Sequence, residues 1–224
     1  MKLSVIIPTL NEEGHIGSTV SAVLALGDDI EVIVVDGGST DATVKIASGH
    51  GAIVETCKPG RASQMNLGAE LSRGEILIFL HADTRLPPAT ADLIAKALAN
   101  PRIEGGSFRL KFDNDHPVLR FSGWLSRMKT PFIHYGDSAY FIRRSTFFEL
   151  GGYRELPILE DLDFFSRLSD LNEIVIIKDP VITSARRFVE KGVLRMQILS
   201  VLIIGLYLLK VSPHTLRKLY ERCQ

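Results

Sequence analysis

The sequence predicts an α/β fold, with a mostly parallel central sheet flanked by helices and a helical segment at the C-terminal end. Two observations carry this. A short, β-branched apolar run followed by a polar loop and a helical repeat occurs three times in the first hundred residues, and alternation of this kind is the signature of parallel strands joined by crossover helices. The 224 residues, 46% hydrophobic and 23% charged, suit one large globular domain and no disordered or fibrous class.

The first unit opens with Leu3-Ser-Val-Ile-Ile7, a buried strand stopped by Pro8. After Asn11-Glu12-Glu13, the residues Ile16, Val20, Val23 and Leu24 recur at helical spacing, with the acidic pair at the helix start, where the dipole favours it. The second unit runs from the strand Ile30 to Val35 through the loop Asp36-Gly-Gly-Ser-Thr-Asp41 into a helix containing Val44 and Ile46. The third places Glu75 to Leu80 as a strand, then His81-Ala-Asp83, then a helix after Pro87-Pro88. Ligands of such open sheets sit beyond the carboxyl ends of the strands, so these three loops should converge on one crevice.

From Ile103 the pattern is less regular: a strand through Phe108 to Phe112, a helix near Val118 to Met128, a strand around Ala139 to Ile142, and a helix with Ser145 as N-cap that ends at Gly151-Gly152. We read residues 1–188 as one domain, with a nucleotide-binding half at 1–100, an acceptor half at 101–188, and a helical extension at 189–224.

Lysine plus arginine equals aspartate plus glutamate, 26 of each, so there is no overall basic field, and nucleic acid is not an expected partner. Cys57 and Cys223 lie far apart without metal-ligand spacing, which suggests neither a disulfide framework nor a zinc site and fits a reducing cytoplasm. The apolar run behind Lys2 is too short for a signal-peptide core.

Four segments could carry chemistry. Asp36 ends a strand and precedes two glycines, so its carboxylate suits a ribose hydroxyl or a base N–H, or else it caps the next helix together with Ser39. His81 and Asp83, two apart in an extended segment, would address one ligand together, with Asp83 as oxygen donor to a divalent cation and His81 as second ligand or phosphate partner; a structural histidine is the bland alternative. Gly60-Arg61-Ala-Ser-Gln64-Met-Asn66, placed just before a short helix, offers a guanidinium, two amides and backbone N–H groups to a phosphate, or is a solvated loop. In Glu160-Asp-Leu-Asp163, a helix starting there would set Glu160 and Asp163 on one face and Asp161 elsewhere, and a plain acidic first turn explains the segment equally well.

Together these motifs resemble the family-two glycosyltransferases, whose Rossmann-like nucleotide-binding fold is called the A type. Ser4-Val-Ile-Ile-Pro-Thr-Leu-Asn-Glu-Glu13 is similar to the family's opening strand and nucleotide loop, and Val32-Ile-Val-Val-Asp-Gly-Gly-Ser-Thr-Asp-Ala-Thr43 to its second. The resemblance implies a nucleoside-diphosphate sugar donor bound by Pro8, Thr9, Leu10, Asn11, Glu12, Asp36, Gly38, Arg61, Gln64, His81, Ala82 and Asp83. It implies a Mn²⁺ or Mg²⁺ ion on Asp83, the last aspartate of the family's Asp-x-Asp element, and His81 stands where the first aspartate is expected. Glu160-Asp161 resembles the family's Glu-Asp pair after a Gly-Gly-Tyr segment, here Gly151-Gly-Tyr153, in which the aspartate deprotonates the acceptor. His81 and Thr183-Ser-Ala-Arg-Arg187 are similar to a small bacterial subgroup. By that reading the chain is an inverting transferase with Arg61 or Arg187 beside the leaving diphosphate, acting on a sugar, lipid or small-molecule acceptor; retention stays open.

A nucleotidyltransferase would carry a glycine-rich phosphate loop after the first strand, where this chain has Pro8-Thr-Leu-Asn-Glu-Glu13. A non-catalytic nucleotide-sugar sensor or membrane-associated scaffold is the alternative from a different class, and an oxidoreductase is disfavoured because no Gly-x-Gly-x-x-Gly follows the first strand. Within Val193 to Val211, the uninterrupted apolar stretch Ile198 to Leu209 falls short of the roughly 20 residues of a spanning helix. It reads as a buried, dimer-forming or membrane-surface helix on a cytoplasmic or inner-face peripheral protein, with His214, Arg217, Lys218 and Arg222 available to anionic headgroups.

Overall fold

The computed structural model describes residues 1–128, 130, 138–171 and 173–223. The strands are β1 (Leu3–Thr9), β2 (Ile30–Asp36), β3 (Ile53–Thr56), β4 (Ile76–Phe79), β5 (Thr84–Arg85), β6 (Ile103–Phe112), β7 (Tyr140–Arg143) and β8 (Glu173–Thr183). They form one sheet in the order β3-β2-β1-β4-β7-β6-β8-β5. β7 runs against β4 and β6, and β5 against β8, while the remaining pairs are parallel. The mostly parallel sheet is therefore as the sequence predicts.

The helices are α1 (Ile16–Leu24), α2 (Thr43–Gly49), α3 (Arg61–Leu71), α4 (Thr90–Leu98), α5 (Pro117–Leu125), α6 (Arg144–Glu149), α7 (Glu160–Leu171), α8 (Arg186–Lys191), α9 (Val193–Leu208) and α10 (Pro213–Arg222). Two cores follow from the period-two alternation of the strands. Leu3, Val5 and Ile7 of β1 face Ile16 and Val20 of α1 and Ile94 of α4. Ile6 points the other way, onto Ala62, Met65 and Ala69 of α3, in a layer that continues through Phe147 of α6 and Phe164, Phe165 and Leu168 of α7. Burying a side chain such as Ile6 contributes about 1.5–3 kcal/mol, and both faces of the central strands are covered in this way.

Contact between α3 and β1 is tight because Gly68 has no side chain: a Cβ there would lie 2.4 Å from Ile6 Cγ2. That closeness helps set the position of Arg61, about two turns earlier on the same helix.

Several local expectations need correction. Ser145 is not an N-cap, since α6 begins at Arg144 and Arg143 holds the cap position. The helix does end at Gly151-Gly152, whose φ values of 74° and 65° suit glycine. The first turn of α1 holds no acidic residue, because Glu12 and Glu13 lie in the turn ahead of His15. Arg61 and Gln64 belong to α3 itself and do not precede it. The expected boundary after residue 188 falls within α8, and Val193 of α9 packs on the main core. Among the described residues no helix is long and apolar enough to cross a membrane.

Candidate active site

β1, β2 and β4 deliver their carboxyl ends to one edge of the sheet, with Thr9 opposite Asp36 in register. At that edge Asp36 is buried, and its Oδ2 accepts the backbone N–H groups of Gly38 at 2.8 Å and Ser39 at 2.7 Å, while its Oδ1 accepts the Ser39 hydroxyl. Gly38 has φ 94°, a conformation open to glycine at no steric cost, and it turns the loop back onto the carboxylate. Asp36 thus fastens its own loop, but it does not cap the next helix, which begins at Thr43 with Ala42 in the cap position and no side-chain cap.

Asn11 links the first loop to the second: its N–H donates to Ser39 Oγ at 2.8 Å and its Oδ1 accepts from Thr40 N at 2.9 Å. Leu10 is half exposed at the rim, and Pro8 is partly buried behind it. Gln64 does not face the crevice. It is buried, and its amide nitrogen donates to the carbonyls of Thr9 and Val35, each at 2.8 Å, so it straps the two strand ends together.

Arg61 joins α3 to the segment after β4 and to the head of α7. Its Nη2 donates to Asp161 Oδ2 at 2.8 Å and meets His81 Nε2 at 2.5 Å, and its Nε pairs with Glu160 Oε1 at 3.2 Å. Because a guanidinium only donates, His81 accepts through Nε2 and does not offer that lone pair to a metal in this arrangement. Residues 81–83 form a turn, closed by Thr84 N to His81 O at 3.2 Å, so the extended-segment argument for a shared ligand does not hold here. His81 turns to Arg61 and Asp83 to Arg186, with the buried Ala82 between them bonding Thr19 through its carbonyl at 2.6 Å.

Arg186 forms the second bridge. Its Nη2 lies 2.5 Å from both carboxylate oxygens of Glu12, and its Nε stands 3.5 Å from Asp83 Oδ2. Burial works against the Arg186 charge, but the hydrogen bond and charge of Glu12, and then Asp83, outweigh it and raise the pKa further. Asp113 places this arginine by accepting Ala185 N at 2.7 Å at the start of α8. The sequence singled out the arginine pair but favoured Arg187, which is exposed; Arg186 is the one turned inward.

At the head of α7, Leu159 adopts φ 65°, uncommon for a branched residue, and the chain then presents Glu160 and Asp161 side by side to Arg61. The sequence-based grouping of Glu160 with Asp163 is therefore corrected. Asp163 pairs instead with Arg154 at 3.0 Å and Arg167 at 2.9 Å, and Arg167 also holds the carbonyls of Leu150 and Gly152, both at 2.7 Å. Asn66, missed as a positioning group, exchanges two hydrogen bonds with the Tyr153 backbone at 2.8 and 2.9 Å. Burial, and then the negative charge of Asp161, hold the Tyr153 hydroxyl well above its ordinary range.

Among the described residues no three His, Cys, Asp or Glu side chains gather as a metal site. The donor set does fit an ion shared with a ligand: Mg²⁺ commonly uses one or two protein carboxylates and completes its shell with phosphate oxygens and water, and Asp83 supplies one such carboxylate.

The model of the family described as glycosyl transferase family 2 matches residues 4–156. The chain belongs to that family. Glucosyl-3-phosphoglycerate synthase of Mycolicibacterium paratuberculosis is 34% identical over 92 residues, covering 36% of this chain and 28% of that protein. Undecaprenyl-phosphate 4-deoxy-4-formamido-L-arabinose transferase of Pseudomonas aeruginosa is 30% identical over 119 residues, covering 48% and 35%. The chain spans about a third of the length of these curated relatives. Among solved structures, the mannosyltransferase PcManGT from Pyrobaculum calidifontis in complex with GDP-Man and Mn²⁺ superposes with a TM-score of 0.67 at 20% identity, covering 82% of this chain and 56% of that one. The 1–349 segment of TarS from S. aureus in complex with UDP also gives 0.67, at 22% identity and with coverage of 90% and 66%. This family-2 chain thus has the A-type glycosyltransferase fold that its motifs implied.

Proposed function

We propose that this family-2 chain transfers a sugar from a nucleoside-diphosphate sugar to a hydroxyl acceptor with inversion, with Asp161 as the base. The observation that carries the reading is the Arg61 bridge, which joins His81 of the nucleotide half to Glu160 and Asp161 of the acceptor half. Asp161 Oδ2 takes the acceptor hydroxyl proton as the oxygen attacks the anomeric carbon, and Arg61 holds the carboxylate in place. Glu160 shares the Arg61 charge and so limits its grip on Asp161.

On the leaving side, Arg186 and Arg61 are the guanidiniums able to meet a departing diphosphate, and oriented positive charge at the point where negative charge develops is the larger contribution to rate. A Mg²⁺ or Mn²⁺ ion entering with the donor would be held by Asp83 and would add charge neutralisation there. Thr9, Asn11, Glu12 and Asp36 shape the base and ribose end, Asp36 by fixing its loop.

Thermal-shift titration with UDP, GDP and their sugars, each with and without Mn²⁺, tests donor binding, because a ligand that binds only the folded chain raises the melting temperature. Asp161→Asn should keep that shift and lose roughly 10²- to 10⁴-fold in transfer, with a product of opposite anomeric configuration to the donor. Wild-type transfer by Asp161→Asn removes the assigned base. Binding without hydrolysis or transfer in the wild type makes the chain a sensor.

A further inference from the structure

Helix α9 is largely apolar, interrupted only by Arg195, Gln197 and Ser200, and is only half covered. Met196, Leu199 and Ile203 face the protein, whereas Leu194, Ile198, Val201 and Leu202, with Leu209 just past the end of the helix, are 46–77% exposed. Their spacing of three and four residues gathers them into one outward stripe, where an ordinary surface helix would carry charges.

Helix α5 packs beside α9, and its outward face adds Phe121 and Trp124, stacked at 5.9 Å between ring centroids and 58% and 53% exposed. Between α5 and the β6–β8 pair runs a groove of about 1020 Å³, whose charged lining is Arg109, Lys111, Arg120, Arg127 and Lys178 against one carboxylate, Asp115. Arg109 Nε is buried there with no hydrogen-bond partner among the described residues. In a chain of zero net charge, this is a local concentration of cations beside an aliphatic and aromatic face.

We infer that the α5–α9 face docks on an anionic lipid bilayer, its aromatic and aliphatic side chains entering the interface and the groove cations meeting headgroup phosphates. Amphipathic surfaces of this composition gain from both apolar burial and the negative surface potential. A second copy of the chain is the poorer occupant, because a symmetric interface sets the same patch against itself and would oppose these cations to their own kind. The surface belongs to the acceptor side: α9 and α10 clasp Ile158 and Leu159, directly ahead of Glu160. The inference goes beyond the transfer reading and does not depend on it.

Flotation of the full chain with phosphatidylcholine vesicles, with and without phosphatidylglycerol, tests it. The protein should float with the anionic vesicles and be released by salt. Removing Arg120 or Arg127 by substitution with Gln should weaken that binding roughly five-fold each, and Val201→Glu and Trp124→Ala should each reduce it further. All four positions are exposed, so melting temperature and nucleoside-diphosphate binding should match the wild type in each variant; Trp124→Ala keeps the test decisive if Val201→Glu folds poorly. Absence of flotation with both vesicle types overturns the inference, as does binding indifferent to the arginine variants. It is equally overturned by a wild-type dimer in sedimentation equilibrium that Val201→Glu dissociates, which would make the covering partner a second copy.

Discussion

Arg61 on α3 and Asp161 on α7 are separated by one hundred residues of chain and by 2.8 Å in space. The same guanidinium contacts Glu160 and His81, so one side chain couples the nucleotide loop to the assigned base. Arg61→Ala should lower the transfer rate about 10²- to 10³-fold, the scale of removing one positioned charge-stabilising donor. Arg61→Lys should restore only part, because an ammonium lacks the planar fork. Single-turnover transfer from the donor identified by thermal shift measures both; an unchanged rate in Arg61→Ala removes Arg61 from the mechanism, and full activity in Arg61→Lys removes the need for the fork.

Arg186 and its neighbour offer a paired comparison. Arg186→Ala should weaken binding of a nucleoside diphosphate in the absence of metal and steepen the dependence of binding on Mn²⁺, since Glu12 and Asp83 lose the cation between them. Arg187→Ala, at an exposed position, should titrate like the wild type. Isothermal titration across a Mn²⁺ series reads both; equal behaviour of the two variants would contradict the assignment of Arg186.

Gly68→Ala should destabilise the fold. The new methyl would stand 2.4 Å from Ile6 Cγ2 and 3.3 Å from Val35 Cγ2, and Ile6 and Val35 are fully buried and cannot swing aside. Overpacking of this kind costs about 1–3 kcal/mol, or roughly 2–4 °C of melting temperature per kcal/mol at this chain length. A melt indistinguishable from wild type would show that α3 can lift from β1 without cost.

Glu31 makes stability depend on acid. Burial pushes its carboxyl up, but the hydrogen bond from Ser4, the backbone N–H of Arg73, the charge of Lys2 and the N–H of Gly74 prevail and leave its pKa below the ordinary value. A depressed folded pKa means that this contribution is present above the unfolded carboxylate range and is lost as pH falls through the folded value. Glu31→Gln should therefore melt below wild type at neutral pH, with the gap closing below roughly pH 4. A gap independent of pH in melting curves would refute the assignment.

The carboxyl-edge loops were legible because each follows a buried β-branched run whose period and stop are local: Gly37-Gly38 after β2, His81 after β4, and Pro8 near the end of β1, although the strand runs on through it to Thr9. β8 was not, since Asp179-Pro180 interrupts it, and Pro180 is accommodated only where the pairing with β6 shifts register between Phe108 and Arg109. β5, two residues long, carries no periodicity to read. At the site, the face rule for helices joined Glu160 to Asp163, yet in the first turn adjacent side chains can reach the same long arginine, and three-dimensional placement of Arg61 decided the pairing. Choosing Arg186 over Arg187 likewise needed the twist of α8 relative to Glu12, which spacing along the chain does not contain.

The clasp between Glu12 and Asp83 is closed by Arg186, at the start of α8. Arg186 reaches the two carboxylates from α8, more than a hundred residues beyond Asp83 in the sequence, so this corner of the cleft is built from both ends of the fold. Completion of the cleft therefore depends on β8 and α8, and a change that shifts either one would loosen the contact of Arg186 with Glu12 and Asp83 without touching the opening strands.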